Sequence, residues 1–370
     1  MAPMLPLDGW RAASILLVLA AHSGLPGVPG GLGVTIFFFV SGFLITGQLA
    51  GEHRQSGRID LVAFYRRRFY RLVPASSVFV LVAGLFYVAS GGTFRPLAWL
   101  GALFYVANYM QLTSHLFDTA VHGVVHPFVI LWSLAIEEQF YLVWPLLLIA
   151  VGGCRRPVPL TAALACIVFC LVWRLHLAPI CGPAHGLACG PHGDDWIAKS
   201  TVTRADSLGF GALAALSPRL RELGRRRSLV FGAALLLGAT LLVRDGVFRE
   251  TWRYTLQGCA LVVLVPASLR ARSLMGVALS RPAPVAIGRL SYGLYLWHWL
   301  ALMVVERFGA GRVASFVLFA AVTALLTLAS WVTIERPMIR LRRRAGSHAP
   351  DRLLERAEGA AAVGAHAIAR

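Results

Sequence analysis

Long apolar runs separated by short basic loops dominate the chain. The runs lie at roughly residues 10–22, 32–50, 74–90, 128–150, 159–176, 205–217, 229–243, 254–269, 283–303 and 313–334. Several fall short of the about 20 apolar residues a helix needs to cross a hydrocarbon layer of about 30 Å, so their boundaries are read loosely. The pattern predicts an all-α polytopic membrane protein with about ten transmembrane helices. An eleventh apolar stretch, RPLAWLGALFYVANYMQL (95–112), could add a crossing.

Loop charge decides against that crossing. With the N-terminus cytoplasmic and 95–112 not crossing, loops 51–73, 152–158, 218–228, 270–282 and 335–344 carry 21 Lys and Arg. The opposite loops, 23–31, 91–127, 174–204, 244–253 and 304–312, carry 9. Letting 95–112 cross flips every later loop and removes most of the bias, against the retention of basic loops in the cytoplasm. Segment 95–112 is therefore predicted to be re-entrant or interfacial. Both termini are predicted to be cytoplasmic, and the protein to sit in the plasma membrane. Residues 1–344 read as one membrane domain, and the Ala-, Gly- and Arg-rich stretch 345–370 as a flexible cytoplasmic tail. There is no internal repeat of 20–50 residues and no inverted pair of broken helices.

Composition narrows the class. Of 370 residues, 57% are hydrophobic and 14% charged, and the mean hydropathy is +0.68. A soluble domain of this length needs a more polar surface. The net charge of +18 invites a nucleic-acid reading. The basic residues, however, gather in short loops between apolar runs, so a lipid bilayer is the predicted partner and nucleic acid is not. The N-terminus lacks a basic n-region and a second apolar run follows closely, so the first run is read as a retained span. Six cysteines do not make a disulfide scaffold.

Ionisable groups inside apolar runs are costly and mark candidate sites. Arg11 and His22 bracket the first run. Eleven residues at 100° each end about 20° past three full turns, so both leave one helix face about 16 Å apart. A snorkelling arginine and a histidine at the headgroup layer account for the pair equally well. In FYRRRFYRLVP (64–74), Arg68 and Arg71 share a helix face just before a run opened by Pro74. Arginine forks suit phosphate, and a lipid-facing anchor is the commoner role of such a cluster. In LWSLAIEEQFYLVWP (131–145), Glu137 and Glu138 interrupt a span. A carboxylate there could orient a histidine or pair with an arginine.

In SYGLYLWHWL (291–300), Tyr295 and His298 share a face and read as pocket lining. Asp206, at the mouth of a small-residue span, is either a pocket residue or a helix cap. The loop CGPAHGLACGPH (181–192) holds Cys181, His185, Cys189 and His192 at none of the usual zinc spacings. No metal site is predicted. A Cys181–Cys189 disulfide is preferred to a metal, and a loop with free thiols to both.

Together the segments LDGWRAASILLVLAAH, GVTIFFFVSGFLITGQL, RFYRLVP, LWSLAIEEQFYLVWP, SYGLYLWHW and IERPMIR resemble the acyltransferase-3 family of integral membrane acyltransferases. They occur in the family's order from residue 7 to about 340. The resemblance implies a bundle of about ten helices that moves an acyl group from cytoplasmic acyl-CoA to a hydroxyl of a glycan, lipid or small molecule. Arg11 and His22 match the family's R-x10-H motif, and Arg68 and Arg71 its R-x-x-R. Glu137, Tyr295 and His298 fall in its other motifs. Trp10, Ala12 and Leu300 depart from the usual residues, with consequences for packing more than chemistry. Some family members add an extracytoplasmic hydrolase-like domain, and this chain is expected to carry the membrane domain alone.

On that reading Arg11, Arg68 and Arg71 hold the donor's phosphates, and the acyl arm runs along the first helix to His22. His22 is then the general base, or the site of a covalent acyl-histidine. Glu137 is a second catalytic candidate, and Asp206, Tyr295 and His298 line the substrate pocket. Acyl-CoA is a donor substrate, with no tightly bound cofactor. A transporter or flippase could use the same intramembrane His, Glu and Arg, but transport does not need the arginine pair combined with R-x10-H.

Overall fold

The computed structural model describes residues 4–117, 120–121, 124–153, 158–181, 189, 195–270, 273–308 and 311–344. The predicted tail 345–370, and His185 and His192, lie outside the described residues. The chain opens with α1 (Leu5–His22), α2 (Gly30–Ser56) and α3 (Leu61–Ala89), followed by the short α4 (Pro96–Leu103) and α5 (Ala107–Thr113). A minimal β-hairpin pairs Ala120–Val121 with Val124–Val125. A 3₁₀ turn, Pro127–Ile130, then leads into α6 (Leu131–Ala150). Next come α7 (Val158–Cys181), α8 (Asp195–Lys199), α9 (Thr201–Leu216), α10 (Pro218–Leu223), α11 (Arg227–Leu242) and α12 (Gly246–Glu250). The last group is α13 (Trp252–Ser268), α14 (Leu274–Leu279), α15 (Pro282–Arg289), α16 (Ser291–Glu306) and α17 (Arg312–Ser330). A π-helical turn, Trp331–Glu335, joins α17 to α18 (Arg336–Arg344).

Helices fill all ten apolar runs. Among the described residues, five helical stretches are long and apolar enough to cross a membrane: Gly30–Ser56, Leu61–Ala89, Pro127–Ala150, Val158–Cys181 and Arg312–Arg342. The other five runs form shorter or more polar helices. Two runs differ from expectation. Helix α3 starts at Leu61, where Asp60 caps it by accepting from the Ala63 amide at 2.9 Å, and it runs straight through Pro74. The arginines of 66–71 are therefore in its first turns rather than in a loop. The run 283–303 is broken at Leu290 into α15 and α16.

Loop contacts fall into two sets at opposite ends of the bundle. At one end the His53 ring packs on Gly153, and Arg270 Nη1 donates to the Gly224 carbonyl at 3.0 Å. There also Gly9 meets the Leu279 backbone, and α18 packs on α3. At the other end Arg307 donates to Ser90 Oγ at 3.1 Å, Asn108 to Thr201 Oγ1 at 3.1 Å, and Arg174 Nε to the Thr251 carbonyl at 3.1 Å. A disulfide joins Cys181 to Cys189 at this end, correcting the preference for free thiols.

The stretch 95–112 is a helical hairpin. Arg95 Nη1 donates to the His115 carbonyl at 2.7 Å, so its two ends meet. Its tip, Tyr105, takes the one positive φ (55°) of a non-glycine residue among those described. The Tyr105 hydroxyl reaches Ser76 Oγ of α3 at 2.8 Å. The segment therefore begins and ends at the same end of the bundle.

Helix α2 is central and mostly buried inside the protein, whereas Arg312–Arg342 is mostly exposed at the periphery. Glycines let it approach α9. A Cβ on Gly42 would overlap the Leu208 carbonyl oxygen, and one on Gly211 the Phe39 carbonyl oxygen. Small residues at such crossings are how helices pack closely where lipid removes the hydrophobic drive. Outward faces are apolar: Leu142, Leu146, Val168, Val172, Leu235, Val317 and Leu325 are exposed. So continuous an exposed apolar belt suits lipid and not water.

Candidate active site

Helix α1 is the spine of the site. Trp10 Nε1 donates to Ser268 Oγ of α13 at 3.0 Å, and Ser14 Oγ to the Gly33 carbonyl of α2 at 2.7 Å. These bonds fix its rotation, turning Arg11, Ser14, Ile15 and Val18 into the bundle. Arg11 is buried, while His22, in the last turn, is exposed at the opposite end.

Helix α16 brings a second imidazole to His22. His22 Nδ1 lies 2.9 Å from His298 Nε2. The ring planes agree within 5° and the centroids are 5.1 Å apart, so the rings meet edge to edge. His298 is fully buried, and its Nδ1 donates to the Tyr295 carbonyl at 2.6 Å. Trp299 stands edge-on to His22, with centroids 5.2 Å apart. Its indole N–H is buried and has no hydrogen-bond acceptor.

The arginines gather at the other end of α1. Arg11 lies within electrostatic reach of Arg71, Tyr141, Asp8 and Glu137, and Arg68 of Tyr141, Arg71, Glu138 and Arg11. Like charges assembled this closely repel unless an anion joins them. The guanidinium Nε of both Arg11 and Arg68 is buried without a partner. Arg68 Nη2 donates to Gln48 Oε1 at 3.1 Å, and its guanidinium stands 5.5 Å from the Tyr141 ring centroid. Arg67 is engaged elsewhere, 3.4 Å from Glu52. Glu137 is buried and accepts from the Tyr141 hydroxyl one helical turn on. It therefore belongs to the arginine end and does not touch His22 as a catalytic partner would.

Between the two ends lies a narrow cavity of about 20 Å³, lined by Ser14, Ile15, Val18, Val34, Phe37, Ser133, Ser291 and Tyr295. That is room for about one water molecule. Tyr295 holds its wall, with its hydroxyl on the Ile130 carbonyl and 2.6 Å from Ser133 Oγ.

Of the residues singled out from sequence, Arg11, Arg68, Arg71 and Glu137 converge at one end. Tyr295 lies in the middle, and His22 and His298 at the other end. Asp206 is not part of this seam. It is fully buried in an ion pair with Arg174 of α7 at 2.7 Å, and the same guanidinium binds Thr251, Thr203 and Thr255. Asp206 thus ties α9 to α7, which corrects its reading as a pocket residue. Ser133, Tyr141 and Trp299 were missed. Ser133 and Tyr141 stand four residues either side of Glu137, so helical spacing pointed to both.

The acyltransferase domain model matches residues 5–335. The chain belongs to that family of membrane acyltransferases, in keeping with its apolar helices. It is 28% identical to O-acetyltransferase OatA of Staphylococcus aureus over 360 residues, an alignment covering 90% of this chain and 56% of the relative. It is 30% identical to peptidoglycan O-acetyltransferase OatA of Listeria monocytogenes, covering 79% of this chain and 48% of that one. The chain thus spans about half the length of the curated relatives it matches. No solved structure matches it.

Proposed function

We propose that the protein is a plasma-membrane O-acyltransferase that takes an acetyl or other short acyl group from cytoplasmic acyl-CoA and places it on a glycan hydroxyl. The carrying observation is the seam along α1: arginines with unpartnered guanidinium N–H groups at one end, an exposed imidazole at the other, and a cavity between. Arg11, Arg68 and Arg71 grip the donor's phosphates by charge-assisted bonds. Its thin arm follows Ser14 and Val18, which requires α1, α2, α6 and α16 to part around so narrow a cavity. The thioester then lies beside His22. The acceptor oxygen attacks the carbonyl carbon, His22 takes the hydroxyl proton, the C–S bond breaks, and the proton passes to the leaving sulfur. The Trp299 indole, edge-on to His22 and with a buried N–H that has no acceptor, is the candidate donor to the negative carbonyl oxygen.

Peptidoglycan, named for the Listeria relative, is the first acceptor to try. The N-terminus and α18 face the cytoplasm, supported by the loop charges and by the contacts that place loops 51–73, 152–158, 218–228 and 270–282 at one end. Purified protein incubated with labelled acetyl-, propionyl- and longer acyl-CoAs and peptidoglycan fragments tests the reading. Acyl ester formed by wild type and not by His22→Ala is the expected result. Failure to bind any acyl-CoA would overturn it.

A further inference from the structure

His298 stands between a carbonyl and His22, and the chemistry of each contact fixes where its proton sits. Its Nδ1 lies 2.6 Å from the Tyr295 carbonyl and 3.2 Å from that of Leu294. A carbonyl oxygen only accepts, so Nδ1 of His298 carries the hydrogen. A neutral imidazole protonated at Nδ1 has a bare Nε2. That nitrogen faces His22 Nδ1 at 2.9 Å, so His22 is the donor across this contact. The coplanar, edge-to-edge rings present the in-plane lone pair of one to the N–H of the other. With its hydrogen committed to Nδ1, neutral His22 has its lone pair on Nε2, the nitrogen on the other edge of an exposed ring.

We propose that His298 is a positioning residue that locks His22 in the Nδ1–H tautomer, so that Nε2 is the atom that takes the acceptor's proton. This rests on the reading of His22 as the base. The nitrogen that a histidine leaves free is set by the bond its other nitrogen makes. When the acceptor's hydroxyl proton arrives on Nε2, His22 becomes an imidazolium, and its Nδ1–H bond to His298 becomes charge-assisted and stronger. His298 cannot pass its own proton on, because the Tyr295 carbonyl accepts a hydrogen bond and not a proton. Taking the Nδ1 proton of His22 would put a charge on its fully buried ring, so His298 stays neutral while the proton leaves His22 Nε2 for the thiolate sulfur. The arrangement does the orienting work of a triad carboxylate without adding a negative charge inside the bundle. Complete burial of His298, with Trp299 edge-on to it at 6.1 Å, keeps water from competing for its Nε2.

The test is ¹⁵N NMR of histidine-labelled full-length protein in lipid nanodiscs, with the His22 signals assigned through His22→Gln. In wild type, neutral His22 should show a protonated-type Nδ1 and a bare-type Nε2. In His298→Phe the His22 pattern should move to the opposite tautomer or a mixture. In parallel, His298→Phe should lower kcat about 10–100-fold with KM for acetyl-CoA little changed. His298→Gln, whose side-chain carbonyl can accept from His22, should recover part of that loss. A wild-type His22 protonated on Nε2, or a pattern indifferent to His298→Phe, overturns the proposal; the wild-type spectrum alone decides if the variant does not fold. Full turnover by His22→Ala with the stated tautomer intact would instead sink the base assignment and leave the geometry of the pair standing.

Discussion

At the residue scale, the proposed function divides its work along one helix, holding the donor at one end and moving a proton at the other. Arg11 is buried among arginines and carboxylates, and His22 is exposed three turns away. Losses at the two ends should therefore differ in kind. Arg68→Ala and Arg71→Ala should each weaken acyl-CoA binding by one to two decades, since a charge-assisted phosphate bond is worth about 1.5–3 kcal/mol. Lysine should restore only part, because it lacks the planar fork. Equilibrium dialysis with labelled acetyl-CoA checks this, and unchanged affinity in folded variants would return the cluster to a lipid anchor. At the other end, His22→Ala should leave donor affinity within a few-fold while turnover falls by about 10²–10⁴. Trp299→Phe keeps an aromatic ring and removes the N–H, so kcat should fall with KM unchanged. Trp297→Phe serves as its comparison: that N–H is also unpartnered, but the ring packs on Phe79. Equal losses in the two variants would remove Trp299 from the carbonyl oxygen. Periodicity placed Arg11 and His22 on one face and paired Tyr295 with His298. It could not show that His22 meets His298, because 276 residues separate them. For the same reason Asp206 could not be separated from a pocket residue: its partner, Arg174, comes from another helix.

At the element scale, the apolar runs marked helices well, and the misreadings came where polar residues continue a helix beyond its apolar part. Pro74 looked like the start of a span, yet Asp60 caps α3 fourteen residues earlier. Conversely, 283–303 is one apolar run but two helices, because α15 lies against α1, where a Cβ on Gly288 would overlap the Asp8 carbonyl. The hairpin 95–112 was legible only through charge in distant loops. Helix crossings were not legible, since nothing in a glycine says which helix it faces. Gly42 and Gly211 illustrate this, each set against a backbone carbonyl of the other's helix. Gly42→Ala should cost about 1–3 kcal/mol, the usual price of overpacking, and lower the thermal midpoint in detergent. Gly47→Ala, on the same helix with nothing within 4 Å of the new Cβ, should be neutral or mildly stabilising. A Gly42→Ala protein as heat-stable as wild type would show that α2 and α9 separate more easily than their contact implies.

At the scale of the whole molecule, the proposed chemistry draws on two aqueous faces, and the loop contacts supply two ends for them. Helices α9, α11, α13 and α16 have 16 to 17 residues, about 25 Å of rise, less than a hydrocarbon core of about 30 Å. If they cross, the bilayer must thin locally around them or their flanking arginines must snorkel, both modest costs. Bonds at the ends of two of them accord with crossing. Arg270, just after α13, binds the loop before α11, whereas Arg307, just after α16, binds Ser90 at the far end of α3. Ten crossings put Ser56 and Ser228 in the cytoplasm and Thr93 and Arg244 outside, and all four are exposed. Each can be changed singly to cysteine in a background freed of the unpaired native thiols. An impermeant maleimide added to intact cells should label Thr93→Cys and Arg244→Cys. Ser56→Cys and Ser228→Cys should react only after the membrane is opened. Ser228, in the first turn of α11, and Arg244, just beyond its last, test the crossing of one of the short helices directly. Protection of both until the membrane is opened would remove α11 from the spans, reverse every later loop, and put α18 on the opposite face from the arginines of α3 against which it packs.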